Sequence, residues 1–230
     1  MTNVLITGCN RGIGLEFVKQ LSAKGVNLIA TYRDSNSGQK LFSLADQYSN
    51  IELVQLDVSS ENSLDLLQSR LMERPVDIFI SNAGIMGTGS KNFGSIGSSE
   101  WLEVLNVNAV SPLILTQKLY KNLLNGNGKK LIYVSSKMGS IEDNLGGSSY
   151  VYRSSKTALN QVVKTLSVDL GPKGFTVIAV HPGWVQTDMG GPNALIDTKT
   201  SVSGLIEVIQ NLKGSDNGKF LNYDGQIIPW

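Results

Sequence analysis

Tyr152 and Lys156 stand four residues apart, which on a helix puts both side chains on one face, a single turn from each other. A free tyrosine has a pKa of roughly 10 and is a poor base at neutral pH. An ammonium beside it favours the phenolate and lowers that value. Such a pair can hand a proton to a carbonyl oxygen, or take one from an alcohol. Tyr150 has Ser154 at the same spacing, which offers no ammonium. Two serines, Ser135 and Ser136, precede this pair, and either hydroxyl could hold a substrate oxygen. Neither lies in G-x-S-x-G, so a hydrolase nucleophile elbow is not supported. His181 is the one histidine and Cys9 the one cysteine, so no His/Cys metal cluster can be built, and His181 reads as structural at a strand end.

A second cluster lies near the start. Gly8-Cys9-Asn10-Arg11-Gly12-Ile13-Gly14 follows the apolar run Val4-Leu5-Ile6 and precedes a helical pattern. Glycines between a first strand and a first helix let backbone N–H groups and the helix N-terminus approach a pyrophosphate. The spacing is G-x-x-x-G-x-G and not the Walker pattern, so a phosphoryl-transfer site is not expected. The bland alternative, a turn that only packs helix on sheet, is weakened by the position after the first strand. A dinucleotide site next requires an acid at the end of the second strand to hold the ribose hydroxyls. Tyr32 stands there, followed by Arg33. With Arg11 in the glycine turn, two guanidiniums suit an extra phosphate better than a hydroxyl, which favours NADP(H). Asp34 comes one residue later, and a register shift of one would return an acid to the ribose and favour NAD(H). Asp57, closing the third strand, reads either as an acceptor for an adenine amino group or as a helix cap.

These clusters need elements to position them. Short apolar runs at 4–6, 27–32, 51–56, 76–80, 131–134, 175–180 and 219–223 alternate with helical patterns at 15–24, 39–48, 60–71, 101–124, 150–170 and 202–212. Ser60 reads as an N-cap and Pro112 as a kink. Strands alternating with helices of ten or more residues imply β-α-β units, hence a doubly wound parallel sheet of about seven strands with helices on both faces. No linker-like composition divides residues 1–230, which read as one Rossmann-type domain.

Composition agrees. The chain has 230 residues, 20 basic against 19 acidic, for a net charge of +1. That excludes a strongly basic nucleic-acid surface and an acidic disordered chain. No run reaches the roughly 18 apolar residues of a membrane span, and no signal-peptide pattern follows Met1. A lone cysteine fits a reducing compartment, and a cytoplasmic location is expected. The 24 glycines are an excess that concentrates in the phosphate turn and in the loops at 85–99, 139–149 and 184–200.

Taken together these segments resemble the short-chain dehydrogenase/reductase family over essentially the whole chain. The matches occur in the family's order: Thr7-Gly8-x-x-x-Gly12-Ile13-Gly14, Asp57-Val58, Asn82-Ala83-Gly84, Asn108, Ser136, Tyr152-x-x-x-Lys156 and Pro182-Gly183. The segments 189–194 and 223–230 are similar to the sniffer-type carbonyl reductases and C-factor-like proteins within it. The resemblance implies Asn108, Ser136, Tyr152 and Lys156 as the catalytic set. It selects Ser136, three residues before Gly139, over Ser135, and Asn108 over Asn106. Asn108 would then hold a water linking Lys156 to solvent.

For the cofactor the resemblance implies Gly8, Asn10, Arg11, Gly12, Ile13 and Gly14 at the phosphates and Arg33 at the ribose. Asp57, Val58, Asn82, Ala83 and Gly84 follow along the strand ends. Tyr152, Lys156, Pro182, Gly183, Val185 and Thr187 would surround the nicotinamide, whose positive ring would further favour the phenolate. Thr187 reads alternatively as an N-cap. Residues 184–200 read as a substrate lid with apolar anchors at Trp184, Met189, Leu195 and Ile196. Charged residues in the three loops are few: Lys91, Glu142, Asp143, Asp188, Asp197 and Lys199. None forms an obvious clamp for an anionic substrate.

The expectation is a reductase or dehydrogenase acting on a small apolar or aromatic carbonyl or alcohol. It uses NADP(H), with NAD(H) possible, and no metal, nucleic acid or membrane. A homodimer or homotetramer through the helices at 101–124 and 150–170 is implied by resemblance. The alternative is a C-factor-like signalling protein that binds NAD(P) with little or no turnover.

Overall fold

The computed structural model describes residues 2–89 and 92–230, which leaves Lys91 outside it. In chain order the regular elements are β1 (Asn3–Ile6), α1 (Gly12–Ser22), β2 (Asn27–Tyr32), α2 (Gln39–Gln47), β3 (Ile51–Gln55), α3 (Glu61–Leu71) and β4 (Ile78–Ser81). There follow α4 (Ser98–Leu105), α5 (Ser111–Lys118), α6 (Tyr120–Asn125), β5 (Lys130–Val134), α7 (Tyr150–Leu170), β6 (Thr176–His181), α8 (Thr198–Asn211) and β7 (Phe220–Asn222). Among the described residues the strands form one parallel sheet in the order β3-β2-β1-β4-β5-β6-β7.

Strand side chains alternate between two apolar layers because successive Cβ atoms point to opposite faces. Leu5, Ile29, Phe79, Leu131 and Val177 pack with α3, α5 and α7. Val4, Ile6, Leu28, Ile80, Ile132 and Ile178 pack with α1 and α8 on the other side. Both faces are covered, so the strands read as continuous apolar runs, as parallel sheets require. The strand order reverses between β1 and β4, and a crevice opens beyond their carboxyl ends.

Two expectations change. The long helix expected over 101–124 is three pieces, with a π-helical turn at Asn106–Val110 between α4 and α5. Pro112 sits in the first turn of α5 and has no N–H with which to bond the carbonyl four residues back, that of Asn108. The Ser111 N–H instead reaches the Asn106 carbonyl, so the ladder widens before the proline rather than kinking at it. The helix expected over 202–212 begins earlier, at Thr198, because Asp197 caps α8 by accepting from the Thr200 N–H, so the last residues of the segment read as a lid are helical. Ser60 caps α3 as expected, accepting from Ser63. Among the described residues no helix is long and apolar enough to cross a membrane.

Candidate active site

The crevice is a cleft of about 840 Å³. One end is the glycine turn. Gly8 and Gly12 have φ of +71° and +56°, in the left-handed region that favours glycine. A Cβ on Gly14 would stand 2.2 Å from the Gly8 carbonyl oxygen. The turn can therefore fold this tightly only without side chains there. Thr7 Oγ1 accepts from the N–H groups of Asn82 and Ala83, and Asn82 Nδ2 donates to the carbonyls of Thr7 and Gly8. The end of β4 thus braces the turn after β1. The first turn of α1 has no side-chain cap and no acidic residue, and its residues Gly12, Ile13 and Gly14 line the cleft, where a helix N-terminus can cradle an anion. These features fit a dinucleotide pyrophosphate.

Arg11 and Arg33 line the cleft, and so does Lys40 from α2. Asp34 does not line it. Its carboxylate accepts from the Asn36 and Ser37 N–H groups and the Ser37 hydroxyl, capping the short 3-10 turn that follows. These bonds hold its pKa below the usual value. Asp57 lines the cleft and caps no helix; Oδ1 accepts from the Ser59 N–H and hydroxyl, while Ser60 does the capping.

Asn10, Ile13, Val58, Ala83 and Gly84 complete this wall, with Asn10 Nδ2 donating to Ser37 Oγ.

The other end holds Tyr152 and Lys156, both on α7 and both buried. Lys156 Nζ lies 5.8 Å from the centre of the Tyr152 ring and donates to the Val134 carbonyl at 3.0 Å. Burial pushes the lysine down to about 8 and the phenol up to about 12, against a smaller opposing pull from a hydrogen bond with Ser136. Loss of water therefore sets the phenol of the cofactor-free protein above its ordinary value, opposite in direction to the lowering expected beside an ammonium and a bound nicotinamide. The protein alone therefore keeps Tyr152 protonated.

Ser135 also lines the cleft, but its hydroxyl is donated to Asn160 Oδ1 at 2.6 Å. Tyr150 points away and packs its ring near Phe93.

Asn108, Gly183 and Val185 stand behind the lining. Asn108, in the π-helical turn, accepts from the Ile85 N–H and donates to the Ile85 carbonyl and Ser155 Oγ. A Cβ on Gly84 would lie 3.1 Å from Asn108 Oδ1 and 3.4 Å from Lys156 Nζ, so this glycine is where the two side chains converge. Gly183, at φ +85°, packs against Ile196 and Tyr223. Val185 is buried in a bridge to Ile196. Pro182 and Thr187 line the cleft, and Thr187 Oγ1 accepts from the Gly190 N–H, closing a turn rather than capping a helix. His181 is largely buried with Nδ1 unpartnered, and burial lowers it to about 4. Buried Cys9 donates to the Ile6 carbonyl.

Lys40, Asp188 and Glu103 reach the cleft without having been singled out for it by the sequence. Lys40 sits at no motif position, and Asp188 was visible only as a charge in the lid. Among the described residues no group of three or more metal-ligating side chains occurs.

The fold and this arrangement define a dinucleotide-type oxidoreductase, and residues 2–195 match the family model for short chain dehydrogenase. The chain belongs to the short-chain dehydrogenase family of NAD(P)-dependent oxidoreductases. Among solved structures it is similar to the carbonyl reductase Sniffer of D. melanogaster, at 35% identity and a TM-score of 0.93, each chain covered in full. It is also similar to an NADPH-bound carbonyl reductase from chicken fatty liver, at 33% identity and a TM-score of 0.92 over 100% of this chain and 99% of that one. Among curated proteins it is 40% identical to C-signal of Myxococcus xanthus over 156 residues, 68% of this chain and 93% of that protein.

Proposed function

We propose that the protein is an NADP(H)-dependent carbonyl reductase acting on small apolar or aromatic ketones, aldehydes or quinones. The observation that carries this reading is the Tyr152–Lys156 pair buried at one end of a cleft whose other end is the glycine cradle. Gly8, Gly12 and Gly14 with the N-terminus of α1 would hold the pyrophosphate, and Arg11, Arg33 and Lys40 an additional phosphate on the adenosine ribose. Asp34, turned into its own cap, leaves that position to cations. Asp57 and Val58 would bound the adenine, and Pro182 and Thr187 the nicotinamide. A bound nicotinamide supplies or accepts the hydride at the carbonyl carbon.

Tyr152 Oη donates the proton to the carbonyl oxygen as that charge develops, and burial keeps the phenol protonated for the purpose. Ser136 holds the same oxygen by a hydrogen bond. Lys156 Nζ orients the ribose and resupplies the proton, with Asn108 behind it. In the reverse direction Tyr152 Oη sheds its proton more readily beside a positively charged ring. Exposed Trp184, Met189 and Leu195 give the lid an apolar surface suited to an uncharged substrate.

A second reading, prompted by the likeness to C-signal, is a signalling protein that binds NAD(P) with little or no turnover. NADPH consumption with a panel of ketones, aldehydes and quinones tests the first reading, and a protein that binds NADPH yet is inert on the whole panel overturns it. The buried, unpaired Cys9 suits the reducing cytoplasm that this reading assigns. A homodimer or homotetramer through α4, α5 and α7 belongs to the same proposal.

A further inference from the structure

The lid is tied across the cleft at its tip. Arg11 Nη1 and Asp188 Oδ2 are 2.5 Å apart, joining the glycine turn to the lid. Beside Asp188, Thr187 leans on the turn so closely that a Cβ on Gly12 would stand 3.3 Å from its Cγ2. On the other side, Met189 Sδ lies 4.0 Å from the Tyr152 hydroxyl. The lid tip therefore spans from the arginine of the phosphate end to the phenol of the proton-transfer end. It closes on itself through the Trp184 Nε1 bond to the Gly190 carbonyl and the Gly191 N–H bond to the Thr187 carbonyl.

We infer that Asp188 is a built-in rival for the additional phosphate, a carboxylate that occupies Arg11 until a 2′-phosphorylated nucleotide displaces it. The inference rests on the proposed placing of that phosphate at Arg11. Both partners are mostly solvent-exposed, so the pair is weak. A phosphate with nearly two negative charges and three acceptor oxygens outcompetes one carboxylate for a guanidinium, whereas a ribose hydroxyl does not. Displacement also brings the phosphate near a carboxylate of like charge, which pushes Asp188 away from the turn. Because Met189 is the next residue, releasing Asp188 loosens the contact over the phenol where a carbonyl oxygen must arrive. Asp188 thus weakens the affinity for 2′-phosphorylated nucleotides specifically and couples their binding to clearing the proton donor.

Calorimetric titration of wild type, Asp188→Asn, Arg11→Ala and the double variant with NADPH and NADH tests this. The expected result is NADPH binding that tightens in Asp188→Asn by at least roughly two- to fivefold, the range of an exposed ion pair, with NADH unchanged. That gain disappears when Arg11 is already alanine. Without nucleotide, amide exchange at Gly190 and Gly191 is expected to be faster in Asp188→Asn than in wild type. Equal tightening for both nucleotides, no tightening, or a gain that persists in the Arg11→Ala background overturns the rivalry. Wild type that binds NADPH no better than NADH overturns the cofactor reading itself, and the inference with it.

Discussion

Tyr152 and Lys156 are set by burial before any ligand is considered. The lysine titrates near 8 in the folded chain against an ordinary value of 10.5. Between those two values the unfolded chain binds a proton that the folded chain has shed. Stability from this group therefore rises with pH across that window, at up to about 1.4 kcal/mol per pH unit. The Tyr152 phenol, raised to about 12, acts oppositely only above its ordinary value of 10. Urea unfolding of wild type and Lys156→Met is expected to show wild type gaining on the variant from pH 8 to 10. A difference that does not change with pH contradicts the buried-ammonium account.

Gly14 makes a second residue-scale prediction. Gly14→Ala forces a Cβ against the Gly8 carbonyl oxygen and Asn82 Nδ2. A loss of about 1–3 kcal/mol in stability, with weakened NADPH binding, is expected from thermal unfolding and titration. The glycine turn and Tyr152-x-x-x-Lys156 were legible in the sequence because each is a short local pattern. Asp188 was not, because its partner Arg11 is 177 residues away and only tertiary packing brings them together. The upward push of burial on Tyr152 was not legible for a related reason, since burial depends on everything packed around α7.

At the scale of elements, the seven strands and their alternation with helices could be read from apolar runs and breakers. Asn27–Tyr32 and Tyr150–Leu170 fall where the pattern put them. The helix around Pro112 did not, because a proline marks a missing N–H without saying how the ladder adjusts. The adjustment is the π-helical turn that carries Asn108. Its side-chain amide serves both backbone groups of Ile85 at the mouth of the loop after β4. Asn108→Ala leaves these groups and Ser155 Oγ without that partner, and a loss of about 2–4 kcal/mol in urea unfolding is expected. Asn108→Asp restores only the acceptor, so it should recover part of the loss. Stability unchanged in Asn108→Ala contradicts the bracing role.

Across the whole molecule, a net charge of +1 conceals a division of labour along one cleft. Arg11, Arg33 and Lys40 gather at the end proposed for phosphate, while Tyr152 and Lys156 are buried at the end proposed for proton transfer. Two of the helices proposed for subunit contact, α4 and α7, expose Leu102 and Val168, and the turn between α4 and α5 exposes Val110, each at least half accessible. Sedimentation equilibrium is expected to give two or four times the chain mass of 24.8 kDa, and the mass of one chain contradicts that assembly. The central claim is that Tyr152 is the proton donor for carbonyl reduction. Its most direct test measures NADPH oxidation and NADPH binding on the same preparations of wild type and Tyr152→Phe. The account predicts that a carbonyl which wild type reduces is reduced at least roughly a hundredfold more slowly by the variant, which still binds NADPH. A variant that keeps the wild-type rate contradicts it.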